Sequence, residues 1–128
     1  MIWIGVMVAG ALGALSRYLL SSWIQSGLVG SLAGFPLGTL VINVAGSFLL
    51  SFLTQIGLRG LISPALRISL GIGFVGAFTT FSTFELDSSA LLGSGEWSRA
   101  ALYILGNLLL GYLAVWLGRA AAVTMVGP

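Results

Sequence analysis

Long apolar runs, separated by short polar and glycine-containing segments, follow one another along the 128-residue chain. Four of these runs reach the ~20 predominantly apolar residues that a membrane-spanning helix requires. They extend from about Ile2 to Trp23, Pro36 to Leu58, Pro64 to Leu92 and Arg99 to Val123. The pattern predicts an all-α membrane protein with a single four-helix transmembrane domain over residues 1–128.

Turn-forming residues separate the predicted spans. Ser63 before Pro64 indicates an N-cap followed by proline at the first helical position, and Pro36 suits another helix start. Glu96 is expected in the first turn of the fourth helix, where a carboxylate favours the helix dipole. Loops are predicted at Ser26-Gly27, at Gly30-Ser31 with Gly34, and at Gly93-Ser94-Gly95.

Hydroxyl and aromatic side chains concentrate in the third span, in the segment Gly76-Ala77-Phe78-Thr79-Thr80-Phe81-Ser82-Thr83-Phe84. The hydroxyls either bond back onto their own helix or mark a break whose freed backbone lines a protein-enclosed site. Threonines are stiff and glycines loosen the preceding turns, which favours a break at Gly76–Thr79. In a continuous helix, Phe78, Phe81 and Phe84 would instead stack at i+3.

Charged residues are scarce and scattered. The chain contains five Arg and three acidic residues but no Lys, His or Cys, and 58% of its residues are hydrophobic. Nucleic-acid binding needs clustered basic residues, which this sequence lacks. Without histidine and cysteine, ordinary catalysis and thiolate metal sites lack their ingredients. We therefore expect neither an enzyme nor a nucleic-acid partner.

The distribution of arginines bears on orientation. With four spans, Arg59, Arg67 and Arg119 fall on one side of the membrane and Arg17 and Arg99 on the other. A difference of three against two gives almost no positive-inside bias. This near balance favours dual topology, in which oppositely inserted copies pair as an antiparallel homodimer.

Polar stripes run along the second and fourth spans. Thr39, Asn43 and Ser47 recur at i+4, as do Tyr103 and Asn107. Asparagine is costly in lipid, so these side chains either join helices or line a pathway. Amide and hydroxyl donors and the positive edges of phenylalanine rings suit a small anion better than a cation.

Arg17 is the one positive charge placed well inside a predicted span. It either draws an anion into a vestibule or snorkels to the headgroups. Free carbonyls at a broken third helix could jointly hold a buried cation across a two-fold axis, which would offset repulsion of a passing anion.

These features resemble the CrcB/Fluc family of fluoride channels, over the whole chain. The most specific mark is the pattern G-x-x-T-T-F-S-T-F, here Gly76 to Phe84. The other marks are G-A-L-S-R-Y around Arg17, G-T-L-V-I-N ending at Asn43, and Tyr103 in the fourth span.

The resemblance implies a dual-topology antiparallel homodimer with two fluoride pores and a structural central sodium ion. Backbone carbonyls of Gly76 and Thr79 from each subunit would hold this Na⁺. The implied pore residues are Asn43 as an amide donor, Phe81 and Phe84 as an aromatic box, Thr39, Ser82 and Thr83 as a polar track, and Tyr103 and Asn107 from the fourth helix.

The chain departs from the family pattern at several positions. Ala77 stands where a second glycine is common, Asp87 where a glutamate is usual, and Glu85 is an additional acid. Gly111 lacks a hydroxyl often found on its face. Some relatives are heterodimers of two oppositely oriented subunits, an alternative that one sequence leaves open.

The function expected from the resemblance is passive export of fluoride across the cytoplasmic membrane by a multi-pass, lipid-embedded channel that gives fluoride resistance. A small multidrug exporter would need an acid in the first span, yet Met1 to Ser16 carry no charged side chain. A structural subunit of a membrane complex would leave the two polar stripes unexplained.

Overall fold

The structure of the protein is a computed structural model that describes residues 1–28 and 32–126, with the side chain of residue 126 left out. Its helices are α1 (Ile2–Ser26), α2 (Leu37–Leu58), α3 (Pro64–Ile68), α4 (Gly76–Phe78), α5 (Phe81–Gly93) and α6 (Trp97–Val126), with a π-helical segment, Ser69–Val75, between α3 and α4. The predicted loop residues Gly30 and Ser31 lie outside the described residues.

The four predicted spans are confirmed. Within the described residues, four helical stretches are long and apolar enough to cross a membrane, namely Ile2–Ser26, Leu37–Leu58, Pro64–Gly93 and Trp97–Met125. The second and third begin and end within a residue or so of the predicted positions. The first and fourth are longer than predicted because helical hydrogen bonding continues beyond the apolar run.

The helix ends follow local sequence signals closely. The Leu66 amide donates to Ser63 Oγ at 3.2 Å, so the predicted N-cap in front of Pro64 is confirmed. Glu96, expected in the first turn of α6, instead precedes the first helical residue Trp97. The turn before it is closed by Gly95 at φ +78°, a conformation that requires glycine.

Aromatic packing joins α5 and α6. Phe84, Leu91, Ala100 and Tyr103 form a buried cluster together with Phe35 from the segment that precedes α2. Tyr103 is fully buried, and its ring meets Phe35 edge-on at 5.8 Å and Phe84 at 5.6 Å between ring centroids. This cluster fixes the second half of the third span against the fourth.

Close backbone contacts join α1 to the first half of the third span. A Cβ on Gly13 would collide with the Phe74 carbonyl, and a Cβ on Gly73 would lie 2.7 Å from the Val6 carbonyl oxygen. Gly13 therefore serves packing, as small residues do between membrane helices. It seats α1 directly on the π-helical segment.

Candidate functional site

The third span is interrupted at Thr79 and Thr80. Thr79 has φ −82° and ψ 160°, and Thr80 has φ −149° and ψ 116°, so both residues are extended. The predicted break is therefore present, although Gly76–Phe78 remains helical and the break begins at Thr79. The π-helical segment before it was not predicted; such segments occur frequently at functional sites.

The Asn43 side chain pairs with the backbone at the break. Asn43 Oδ1 accepts from the Thr80 amide at 2.9 Å, while Asn43 Nδ2 donates to the Thr80 carbonyl at 3.2 Å. Asn43 Nδ2 also donates to Asn107 Oδ1 at 3.0 Å, which ties the fourth span to the break. Both N–H groups of Asn43 are thus engaged within the chain.

The threonine hydroxyls at the break either bond back to the preceding helix or take part in the break itself. Thr79 Oγ1 donates to the Val75 carbonyl at 3.1 Å, in the helical turn that precedes the break. Thr80 Oγ1 caps α5 by accepting from the Thr83 amide at 3.2 Å. Thr80 Oγ1 in turn donates to Thr83 Oγ1 at 2.9 Å, which leaves the Thr83 hydroxyl proton available to another acceptor.

Arg17 reaches the break from α1. Its Nη1 donates to the Thr79 carbonyl at 3.3 Å, across 62 residues of sequence. The guanidinium therefore lies beside the interruption in the third span and does not extend towards the end of α1. Arg17 has five N–H donors and makes one bond to the described residues, so it retains donors for a further acceptor.

Two grooves meet at Thr80. One, of about 220 Å³, is lined by hydroxyl side chains and Arg17; its residues are Arg17, Tyr18, Ser21, Ser22, Thr39, Ile42, Thr80 and Thr83. The other, of about 250 Å³, is more apolar; its residues are Asn43, Gly46, Ser47, Leu50, Val75, Gly76, Thr79, Thr80 and Phe81. We call them the hydroxyl groove and the phenylalanine groove.

The predicted site residues divide between these two grooves. Arg17, Thr39 and Thr83 line the hydroxyl groove, whereas Asn43 and Phe81 line the phenylalanine groove. The stripe of Thr39, Asn43 and Ser47 is thus split by the break. Ser82 is exposed on the single chain and is not among the residues that line either groove.

The aromatic residues do not form one continuous stack. Phe78 stacks on Phe74 at 5.8 Å, while Phe81 and Phe84 are 5.8 Å apart and tilted. The i+3 stack that a continuous helix would give to Phe78, Phe81 and Phe84 is therefore not formed, because the extended residues at the break separate its first member from the other two. Phe81 is 73% exposed and Phe84 is 7% exposed.

Tyr103 and Asn107 lie behind the grooves, on the side of α6. The Tyr103 hydroxyl donates to Asp87 Oδ2 at 3.0 Å, a partner that sequence reasoning did not supply for this acid. Asn107 Nδ2 donates to the Tyr103 carbonyl at 3.0 Å within its own helix. Sequence reasoning also missed Ser21 and Ser22, whose spacing in α1 carries no signal beyond ordinary polarity.

The carbonyl groups at the break fit the chemistry of a bound alkali cation. The Thr80 amide would bond to the Gly76 carbonyl in a continuous helix but donates to Asn43 instead, which releases that carbonyl. No group of three or more His, Cys, Asp or Glu able to hold a metal occurs among the described residues. The backbone oxygens of Gly76 and Thr79 have the chemistry to hold such an ion, although the Thr79 carbonyl also accepts from Arg17.

Comparison with known proteins places these features in a family context. Residues 4–119 match the family described as CrcB-like protein, Camphor Resistance (CrcB). A Chlorobium chlorochromatii protein named fluoride-specific ion channel FluC is 45% identical over 123 residues, covering 95% of this chain and 92% of that protein. A Thermus thermophilus protein of the same name is 43% identical, covering 95% and 94%. The Moorella thermoacetica fluoride-specific ion channel FluC 2 is also 43% identical, covering 95% and 97%.

Proposed function

The chain belongs to the CrcB family of multi-pass membrane proteins, and we propose that it is a fluoride-specific ion channel. The observation that carries the proposal is the identity of 43–45% to relatives so named, over almost the full length of both chains. The break and both grooves lie within the matched residues 4–119. A channel, and not an enzyme, is the class to which these relatives belong.

Fluoride needs strong hydrogen-bond donors to replace the water it gives up in a narrow pore. In the hydroxyl groove, Arg17 supplies a fixed positive charge with free donors, and Thr83 supplies an unused hydroxyl proton. We propose that the anion enters here, with Thr39 and Ser82 extending the row of hydroxyls. Chloride is larger and gains less from the same compact donors.

We propose that the exposed Phe81 ring and the buried Phe84 ring turn their positive edges towards the anion beyond this point. Asn107 and Tyr103 would complete the wall from α6. Asn43 acts first as a positioning residue, because both of its N–H groups are already bonded within the chain. Its bond to Asn107 is the one that fluoride could replace without releasing Thr80.

The exposed position of Gly76 and Phe81 on the single chain favours a second copy covering this side. We propose an antiparallel, dual-topology homodimer with two pores. Carbonyls of Gly76 and Thr79 from each copy would hold a structural Na⁺ between the broken helices. When bound, that ion would supply positive charge, and these carbonyl oxygens would be its ligands.

The proposed physiological direction is passive export across the cytoplasmic membrane. Hydrogen fluoride is a weak acid that enters as the neutral molecule and releases fluoride inside the cell. A selective pore then lets the anion leave down its gradient and gives fluoride resistance.

The test is fluoride efflux from liposomes that contain the purified protein, read with a fluoride electrode, with chloride followed in parallel. Fast fluoride release with negligible chloride release supports the proposal, and a matched Phe81→Ile protein should release fluoride much more slowly. Absence of fluoride release from properly assembled wild-type protein would reject the channel.

A further inference from the structure

Two oppositely charged residues of the third span have no partner among the residues that the structure describes. In the part of the chain that the structure describes, neither Arg67 nor Glu85 has a hydrogen bond or ion pair. Both lie inside the apolar stretch Pro64–Gly93. A charged side chain within a membrane span is expensive unless it meets water, headgroups or another protein group. These two residues are therefore candidates for a contact outside the single chain.

Glu85 lies on an exposed face of the third span. It follows Phe81 by four residues on the same face of α5, and both residues are exposed. Ile72 is 67% exposed and Gly76 is also exposed, so the uncovered face continues across the break. The side of the third span that carries Glu85 is thus the side that the proposed second copy would cover.

Arg67 stands at the far end of the same surface. It lines a groove of about 330 Å³ together with Leu50, Thr54, Ile68, Gly71 and Ile72. Leu50 also lines the phenylalanine groove, so the two grooves adjoin. The aliphatic part of Arg67 packs against Gly57, which fixes the side chain over the groove.

The positions of the two charges match in an inverted pair. From the midpoint between Gly76 and Thr79, Arg67 is at most about 16 Å away, because an α-helix rises 1.5 Å per residue and the π-helical segment Ser69–Val75 rises less. Glu85 is about 15 Å away in the other direction, once the extended residues at the break are counted at ~3.3 Å each. A two-fold axis through this midpoint brings Glu85 of one copy to the level of Arg67 in the other.

We propose that Glu85 of each copy forms an ion pair with Arg67 of an inverted second copy. The two-fold symmetry repeats the pair at both ends of the interface. A parallel pair would instead place Glu85 beside Glu85 and Arg67 beside Arg67, and like charges at an interface disfavour that arrangement. The two residues therefore select antiparallel pairing. This inference rests on the proposed homodimer and extends it to a specific contact.

Cysteine cross-linking tests the contact directly, because the natural chain contains no cysteine. In the R67C/E85C protein, the two thiols of one chain lie about 30 Å apart along the span. A disulfide requires Cα atoms within about 7 Å, so only two different copies can form it. Mild oxidation with copper phenanthroline should convert most of this protein into a covalent dimer on a denaturing gel.

Two matched controls define the geometry. R67C/L86C moves the second thiol to a neighbouring face of α5 at the same depth, and it should yield several-fold less covalent dimer. E85C alone should yield none, since the two Glu85 positions lie on opposite sides of the dimer centre. A strong E85C dimer would indicate parallel pairing and overturn the inference.

Charge reversal provides a second test that does not depend on thiol chemistry. R67E and E85R alone should each lower the dimer fraction at a fixed detergent concentration, and R67E/E85R should restore it. If the wild-type protein is dimeric but R67C/E85C does not cross-link or R67E/E85R does not restore the dimer, the ion pair is rejected and the dimer is retained. A monomeric wild-type protein overturns both the pair and the dimer. Failed fluoride efflux from a cross-linkable dimer rejects only the channel.

Discussion

Asn43 supplies Thr80 with the hydrogen bonds that an interrupted helix would otherwise leave unmade. Its Oδ1 accepts from the Thr80 amide at 2.9 Å, and its Nδ2 donates to the Thr80 carbonyl at 3.2 Å. Irregular backbone within a membrane span is tolerated only where protein or water satisfies it. One amide side chain from α2 therefore makes the break in the third span possible.

Replacing Asn43 should expose this dependence. Asn43→Ala leaves the amide and the carbonyl of Thr80 unpaired, at about 1–3 kcal/mol for each buried group. We expect Asn43→Ala to lower the thermal unfolding midpoint strongly and to abolish fluoride efflux. Asn43→Asp keeps an acceptor for the Thr80 amide but turns a second oxygen towards the Thr80 carbonyl and Asn107 Oδ1, so it should also be strongly destabilised. Equal stability of wild type and Asn43→Ala would contradict the positioning role.

The contact of α1 with the π-helical segment gives a second prediction. A Cβ on Gly13 would collide with the Phe74 carbonyl, whereas a Cβ on Gly10 would lie 3.7 Å from the Gly73 carbonyl, an ordinary contact. Both changes to alanine gain about 1 kcal/mol of helix propensity. Gly13→Ala should nevertheless destabilise the protein, and Gly10→Ala should be neutral or stabilising.

Thermal unfolding in detergent, followed by the loss of helical circular dichroism, measures both variants under the same conditions. Because the two substitutions share one helix and one chemical change, the difference between their midpoints isolates the backbone collision. Similar midpoints for Gly13→Ala and Gly10→Ala would show that α1 can shift away from Phe74 at little cost.

Much of the fold could be predicted because length and apolarity decide which segments can cross a membrane. The boundary at Ser63 and Pro64 was also readable, since capping and the missing proline amide act within a few residues. The extent of α1 was underestimated because Gln25 and Ser26 are polar but remain helical. Hydrophobic pattern locates burial in lipid, whereas a helix ends where its backbone hydrogen bonds end.

The break could be located approximately, but what stabilises it could not. Asn43 is 37 residues from Thr80, and Arg17 is 62 residues from Thr79, so no local pattern links them. The π-helical segment likewise depends on close packing against α1. Hydroxyl content indicated that something interrupts the span, while tertiary contacts determine where it begins and which groups satisfy it.

The position of Arg17 also changes the topology argument. Because its guanidinium bonds to the Thr79 carbonyl, Arg17 is not a charge of the flanking loop. Arg67 likewise lies within the apolar stretch Pro64–Gly93, and Arg99 and Arg119 lie within Trp97–Met125, which leaves too few loop arginines for a positive-inside comparison. The arginine count therefore no longer supports dual topology. The proposal of a second copy rests instead on the exposed face of the third span, which includes Ile72, Gly76 and Phe81.

Acid should weaken the turn before α6. Glu96 pairs with Arg99 and accepts from Ser94 Oγ at 3.1 Å. The hydrogen bond from Arg99, and to a lesser extent the one from Ser94, lowers the pKa of Glu96 below its ordinary value of 4.5. A lowered pKa stabilises the folded state above 4.5, and this contribution is lost as the pH falls through the lowered value.

The measurement is the unfolding midpoint of wild type minus that of Glu96→Gln, followed as the pH is lowered. The difference should be small and constant above pH 4.5 and should shrink below it. The effect stays small because exposed ion pairs contribute little. Arg99→Gln removes the main cause and should flatten the same curve. A difference that does not change with pH would show that the pair contributes nothing to folding.

Substitutions at Phe81 and Phe84 should distinguish a residue of the dimer interface from a residue of the single-chain core. The two side chains differ mainly in their exposed fraction, which is 73% for Phe81 and 7% for Phe84. Phe84 packs on Tyr103 within the chain, so Phe84→Ala should cost about 3–5 kcal/mol at any protein concentration. Phe81→Ala removes little packing from the single chain. Its effect on stability should appear as weaker dimerisation, so the stability lost relative to wild type should grow with protein concentration. Unfolding midpoints measured across a dilution series in detergent separate the two cases. If Phe81→Ala were as destabilising as Phe84→Ala in the most dilute samples, Phe81 would belong to the core of one chain, and the surface assigned to the second copy would be wrong.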